Sequence, residues 1–133
     1  MQEQGLLFSD ADIISRYTRA QAIEDGVLVD VSQTTEFKEL RFQAPIAITS
    51  GVLAQCVEEP VAVPGQDWHG RLWDLLSVFK HAARGCQSEQ LRFSLHVRND
   101  NRPGTPPLVA LKAVCGPGDD GEPVITIMNL DED

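Results

Sequence analysis

The sequence predicts an α+β domain: an antiparallel sheet of three to five strands with a C-terminal β-meander, one longer helix, and two or three short helices packed on one face. Three observations lead there. Leu72, Leu75, Leu76, Phe79 and Ala83 recur every three or four residues and make one apolar helical stripe. Leu91 to Arg98 alternates apolar and polar without a break, the period of a half-buried strand. Cys115 to Met128 places a turn of three glycines, two prolines and three carboxylates between two apolar runs, which reads as a hairpin with an acidic tip.

In chain order, residues 1–14 form a loosely ordered segment, 15–128 a single domain, and 129–133 an acidic tail that frays. Thr18-Arg19-Ala20-Gln21 is a capping box, in which Thr18 accepts from the amide of Gln21 and Gln21 reaches back. The short helix it starts ends at Asp25, where Gly26 supplies a left-handed residue. Val27-Leu28-Val29-Asp30-Val31 is β-branched and alternating, so it is a strand. Thr34 or Thr35 caps a second short helix through Phe37 and Leu40, which Pro45 stops before an extended Ile46-Ala47-Ile48. Thr49 or Ser50 opens a third, with Val52, Leu53, Cys56 and Val57 on one side. The stretch from Glu58 to Gln66, with Pro60, Pro64 and Gly65, is a loop. Asp67 caps the long helix, Gly85 ends it, and Arg71, Asp74, Ser77, Lys80, His81 and Arg84 lie off its stripe. Leu108 to Cys115 is apolar on both faces except Lys112, as a central, covered strand would be.

Composition narrows the function classes. The 133 residues are 42% hydrophobic and 23% charged, an ordinary globular balance. The first residues lack a basic segment and a long apolar core, so neither a signal peptide nor a membrane span is expected, and a cytoplasmic location follows by default. Cys56, Cys86 and Cys115 are far apart, with no Cys-x-x-Cys pair. They read as buried or half-buried thiols, with no disulfide framework and no zinc site. Net charge is −9, of which six negative charges fall in residues 113–133, on Asp119, Asp120, Glu122, Asp131, Glu132 and Asp133. Duplex DNA binding through a broad basic face is therefore not expected.

Candidate chemistry is sparse. Asp119, Asp120 and Glu122 are oxygen ligands suited to Mg²⁺ or Ca²⁺, but their spacing is not that of an EF-hand, and glycines with Asp explain the turn by themselves. Gly116-Pro117-Gly118 leads into a strand, whereas a phosphate-binding loop leads into a helix. His81 with Cys86 lacks a third, orienting group. Arg92, His96 and Arg98 form a basic row on one strand face, with Lys112 on the neighbouring strand. That row suits an acidic partner or weak contact with RNA or single-stranded DNA, although no aromatic residue is there for base stacking. Trp73 stands off the helical stripe and is a candidate for an interface. Tyr17, Arg16 and Arg19 open the first helix as a recognition patch, unless Tyr17 staples onto Ile23.

Two blocks resemble a known family. One runs from Tyr17 to Val31 and contains Thr18-Arg19-Ala20-Gln21 and Glu24-Asp25-Gly26. The other runs from Leu108 through Leu111-Lys112-Ala113-Val114 to Gly116-Pro117-Gly118-Asp119-Asp120-Gly121-Glu122-Pro123 and on to Met128. Gly70-Arg71-Leu72-Trp73-Asp74 and Leu91-Arg92-Phe93 match between them. Together they resemble a family of short bacterial proteins of unknown function, often encoded on plasmids, integrative elements and prophages, and the resemblance covers nearly everything from Ser15 onward. It implies an accessory gene of mobile DNA and carries over no catalytic residue and no cofactor. The expected function is thus a non-enzymatic protein-binding accessory factor whose partner is a host or element-encoded protein, with an anti-defence role as one version. The alternatives are a metal-dependent or small-molecule-binding enzyme at the acidic hairpin, and weak RNA or single-strand binding at the outer strand face.

Overall fold

The computed structural model describes residues 17–61, 63 and 65–132. The expected loose segment 1–14, Arg16 and Asp133 lie outside them. Among the described residues the elements in order are α1 (Arg19–Glu24), β1 (Leu28–Asp30), α2 (Thr35–Leu40), β2 (Ile46–Thr49), α3 (Ser50–Val52) continued by a π-helical turn (Leu53–Val57), α4 (Trp68–Ala83), β3 (Gln90–His96), β4 (Leu108–Pro117) and β5 (Pro123–Asn129). The five strands form one sheet in the order β1-β2-β5-β4-β3. All neighbours are antiparallel except β2 and β5, which run parallel with Ile48 beside Ile127.

Side-chain caps set most of the boundaries. Thr18 accepts from Gln21 N, Thr34 from Phe37 N, Thr49 from Val52 N and Asp67 from Gly70 N. Each satisfies an amide that the first helical turn leaves without a partner. Gly26 (φ +79°) and Gly85 (φ +79°) follow α1 and α4 in the left-handed region, which costs a glycine little.

The core fills one face of the sheet. Val31, Ile46, Ile48, Phe93, Leu95, Leu111, Ala113 and Ile127 meet Leu72, Leu75, Leu76 and Phe79 of α4 and Val52, Cys56 and Val57 of the third helical segment. Phe37, Phe42, Phe79 and Phe93 stack in series at centroid separations of 5.4, 5.9 and 5.6 Å, joining α2 through α4 to the sheet. The expected helical layer on one face is this one. The helix α1 sits apart on the reverse face, where alternation sends Ala47, Val124 and Met128, and these are buried outside the main cluster with Ala22.

Four expectations change. Arg71 is not on a solvated flank but 6% exposed. Its Nε donates to Val57 O at 3.3 Å, Nη1 to Arg98 O at 2.8 Å, and Nη2 to Gln55 O at 3.0 Å and Asn99 Oδ1 at 2.8 Å. Gln55 and Val57 end the π-turn, where helix carbonyls have no further amide to accept and carry partial negative charge. Those carbonyls take the place of a carboxylate partner. β4 is central but covered on one face only: Leu108 is 63% exposed, and Ala110 is exposed too. Cys86 and Cys115 are exposed, and Cys56 alone is buried. The C-terminal turn is held, because Glu132 Oε1 accepts from Thr49 Oγ1 at 2.8 Å and from Asn129 N at 2.7 Å.

No helix among the described residues is long and apolar enough to cross a membrane.

Replacing Arg71 by Ala takes a donor from four acceptors, of which Gln55 O alone keeps another in Asn99 Nδ2, and is expected to lower unfolding stability by about 3 kcal/mol. Arg71→Lys should recover less than half of that, since a compact ammonium cannot span all four. Urea unfolding of the two variants measures both values.

Candidate functional site

The acidic hairpin tip is built into the fold. The turn between β4 and β5 closes through Gly118 N to Glu122 O at 2.6 Å and Gly121 N to Gly118 O at 3.0 Å, with Gly121 at φ +84°. Glu122 folds back, and its Oε1 accepts from Asp120 N at 3.0 Å. Asp119 reaches across to α1, accepting from Arg19 N at 2.8 Å and Ala20 N at 3.0 Å. The guanidinium of Arg19 returns the contact, with Nη1 on Thr126 Oγ1 at 2.6 Å and Nη2 on Ile125 O at 2.8 Å. Burial lowers the Arg19 pKa, while Asp30, Asp119 and Glu122 act to raise it.

Of the acidic candidates, then, Asp119 and Glu122 bond within the chain, and Asp120 projects from an exposed turn. Among the described residues no three His, Cys, Asp or Glu side chains converge as metal ligands. Tyr17 is half exposed and donates its hydroxyl to Asp25 Oδ2 at 2.7 Å. That hydrogen bond raises its pKa. Trp73 is 39% exposed on α4. Helical spacing puts it on the flank of His69 and Lys80, whose side chains reach Glu36 and the carbonyl of Leu40 on α2.

The basic row divides. Arg98 donates to Gly104 O at 2.6 Å and to Arg102 O, and His96 Nδ1 lies 2.7 Å from Pro106 O. Both pin the connection between β3 and β4. His96 must carry its proton on Nδ1 there, because a carbonyl only accepts. Arg92 is exposed and sits directly across the ladder from half-buried Lys112. Neither has an ion-pair partner among the described residues.

These side chains flank an open strand edge. Val97 N donates to Pro107 O at 3.0 Å, and Cys115 N to Glu89 O at 2.8 Å. With the continuous antiparallel register, this phase turns the odd-numbered residues of β3 toward β4. The N–H and C=O groups of Gln90, Arg92, Ser94 and His96 therefore point away from the sheet, where the Gln90 amide donates to Ser88 Oγ at 3.2 Å and no sixth strand among the described residues pairs with the others.

Three features escaped the sequence reading. Glu36 is buried with Oε2 at 3.1 Å from His69 Nδ1 and, among the described residues, with no hydrogen-bond partner for Oε1. A polar cleft of about 260 Å³ lies beside Arg71, His96 and Arg98. A cleft of about 210 Å³ is lined by Phe79, Leu91 and Ala113 together with both exposed thiols. No residue spacing signals any of them, since each joins elements distant in sequence.

Asp119→Ala removes the acceptor of two α1 amides and is expected to cost about 1 kcal/mol. Arg19→Ala should add little on top of it, because the two act at one joint, and a double-mutant cycle tests the coupling. Burial pushes the Cys56 thiol up to about 11 from 9.0. Between those values the unfolded chain releases that proton and the native chain keeps it, so stability falls as pH rises through the window. Cys56→Ala should flatten that slope in denaturation at graded pH, and a thiol reagent at neutral pH should modify Cys86 and Cys115 long before Cys56.

Searches of the curated proteins and of the solved structures gave no match. A family model matches residues 5–133, and it takes in both sides of the α1–hairpin joint and the whole sheet. The chain belongs to that family, described as a family of unknown function, DUF6573.

Proposed function

We propose that this chain is a non-enzymatic, protein-binding accessory factor that takes its partner along the open edge of β3. The observation that carries this reading is the row of outward backbone donors and acceptors from Arg92 to His96. A regular, unpaired edge is a ready template for a further strand. The bare outer face beside it, with Leu108, Ala110 and Arg92, gives a partner's side chains something to touch.

The acidic tip is the weaker choice of interface. Its Asp119 and Glu122 oxygens already serve the α1 joint and the turn. The mobile-element setting rests on the sequence resemblance. In that setting, binding a host protein is what an anti-defence factor would do.

Ser94→Pro tests the reading. The Ser94 amide faces outward, so proline there keeps the ladder with β4 and obstructs a sixth strand. Tagged wild-type protein should retain a specific partner from a nuclease-treated bacterial lysate. Ser94→Pro should lose it with an unchanged unfolding midpoint, while Asp120→Lys keeps it. Equal retention by Ser94→Pro, or no partner at all, overturns the proposal.

A further inference from the structure

Resting on that reading, we infer that the occupant of the β3 edge is an extended acidic peptide segment, added as a sixth strand with its carboxylates on the outer face. Three observations define this chemistry. First, the outward groups recur at every second residue, the repeat of a β-ladder, which a peptide backbone matches and a phosphodiester chain does not. Second, the side chains of those same residues fall on the outer face, where Arg92, Ser94 and His96 are exposed. Every second side chain of an added strand would stand beside them. Third, Arg92 and Lys112 oppose each other across the ladder with no ion-pair partner among the described residues. Like charges in direct opposition are unfavourable, and a carboxylate on the added strand, beside Arg92 on the side away from Lys112, offsets part of that repulsion.

The same arrangement disfavours two other occupants. Pairing β3 with β3 of a second copy would bring two copies of Arg92 together on one face, adding like charge to like charge. A nucleic acid would find basic side chains but no aromatic platform among the outer-face residues of β3 and β4, which are Gln90, Arg92, Ser94, His96, Leu108, Ala110, Lys112 and Val114. On the opposite side of the edge stands Asp74, which lines the polar cleft with Leu95. Side chains of the added strand on that side should therefore not be acidic, and the segment tested alternates acidic and apolar residues.

The experiment uses a fluorescein-labelled peptide of about ten residues alternating Val and Glu. Its counterparts are a Val and Lys peptide of equal length and a single-stranded oligothymidine. Anisotropy reads affinity, and hydrogen exchange followed by NMR reads individual amides. The Val/Glu peptide should bind, weaken with salt, and lose about tenfold in affinity in Arg92→Glu. Its binding should slow exchange at Arg92, Ser94 and His96, whose amides face outward, and leave Phe93 and Leu95 unchanged. Equal binding of the Val/Lys peptide, tighter binding of the oligothymidine, or binding without protection of the three outward amides overturns the inference. Lysate capture that depends on Ser94 but shows no preference for acid would sink this inference alone. Capture indifferent to Ser94→Pro sinks the functional reading beneath it.

Discussion

A guanidinium carries one charge and five N–H groups, and it can be buried only where acceptors already wait for it. Arg71 is such a case, and much of the architecture follows from it. The π-turn after α3 ends with the carbonyls of Gln55 and Val57 directed inward, and β3 leaves the sheet with the carbonyl of Arg98 turned the same way. One side chain on the first turns of α4 satisfies all three and is joined there by Asn99, whose Nδ2 also donates to Gln55 O. The helix, the turn and the end of β3 are thereby locked together at one point. That lock sets where β3 stops, how the connection to β4 departs, and so how much of the edge stays open.

The second joint lies on the other face. A six-residue helix has few internal hydrogen bonds, and its first-turn amides weigh heavily in its stability. In α1 each of these amides has a partner. Asp119 takes those of Arg19 and Ala20, the Thr18 hydroxyl takes Gln21, and the Thr18 carbonyl takes Ala22. Two of the four acceptors thus come from a single carboxylate about a hundred residues away in sequence. The cluster of acids in the hairpin is better understood as the counterpart of a helix start than as a surface waiting for a partner.

What the sequence discloses and what it hides divide by range. Caps, alternation and glycine stops act within a few residues, so Thr18 with Gln21, Thr34, Asp67, Gly26 and the Leu91–Val97 alternation lead to the right elements. The stripe on α4 identifies which residues face the sheet. It says nothing of a second neighbour approaching from the side, and for that reason Arg71 looks solvated until the π-turn is in place. The parallel pairing of β2 with β5 joins segments separated by most of the chain, and neither segment's own pattern distinguishes it from an antiparallel pair. The apolar residues on both sides of β4 suggest cover on both faces. Only the α4 side receives it, because α1 reaches Ala47, Val124 and Met128 but leaves Leu108 and Ala110 exposed. For the candidate site, the row Arg92, His96 and Arg98 is visible as an alternation, whereas the division of labour within it is not. Two of the three side chains bond to loop carbonyls that the residue pattern does not locate.

An open edge is a hazard as well as an opportunity, and charge decides which. Natural sheets guard exposed edges with charged side chains, because a like-charged copy then cannot pair. The chain as a whole has a net charge of −9, yet the outward residues of β3 carry Arg92 and His96, with Lys112 behind them. Basic residues placed there repel a second copy of the edge just as well, since identical edges meet with identical charges. They differ from acid in one respect: they attract a negatively charged strand. An edge that needed only protection would gain nothing from the choice, whereas an edge that must refuse its own copies and admit a different, acidic chain requires it.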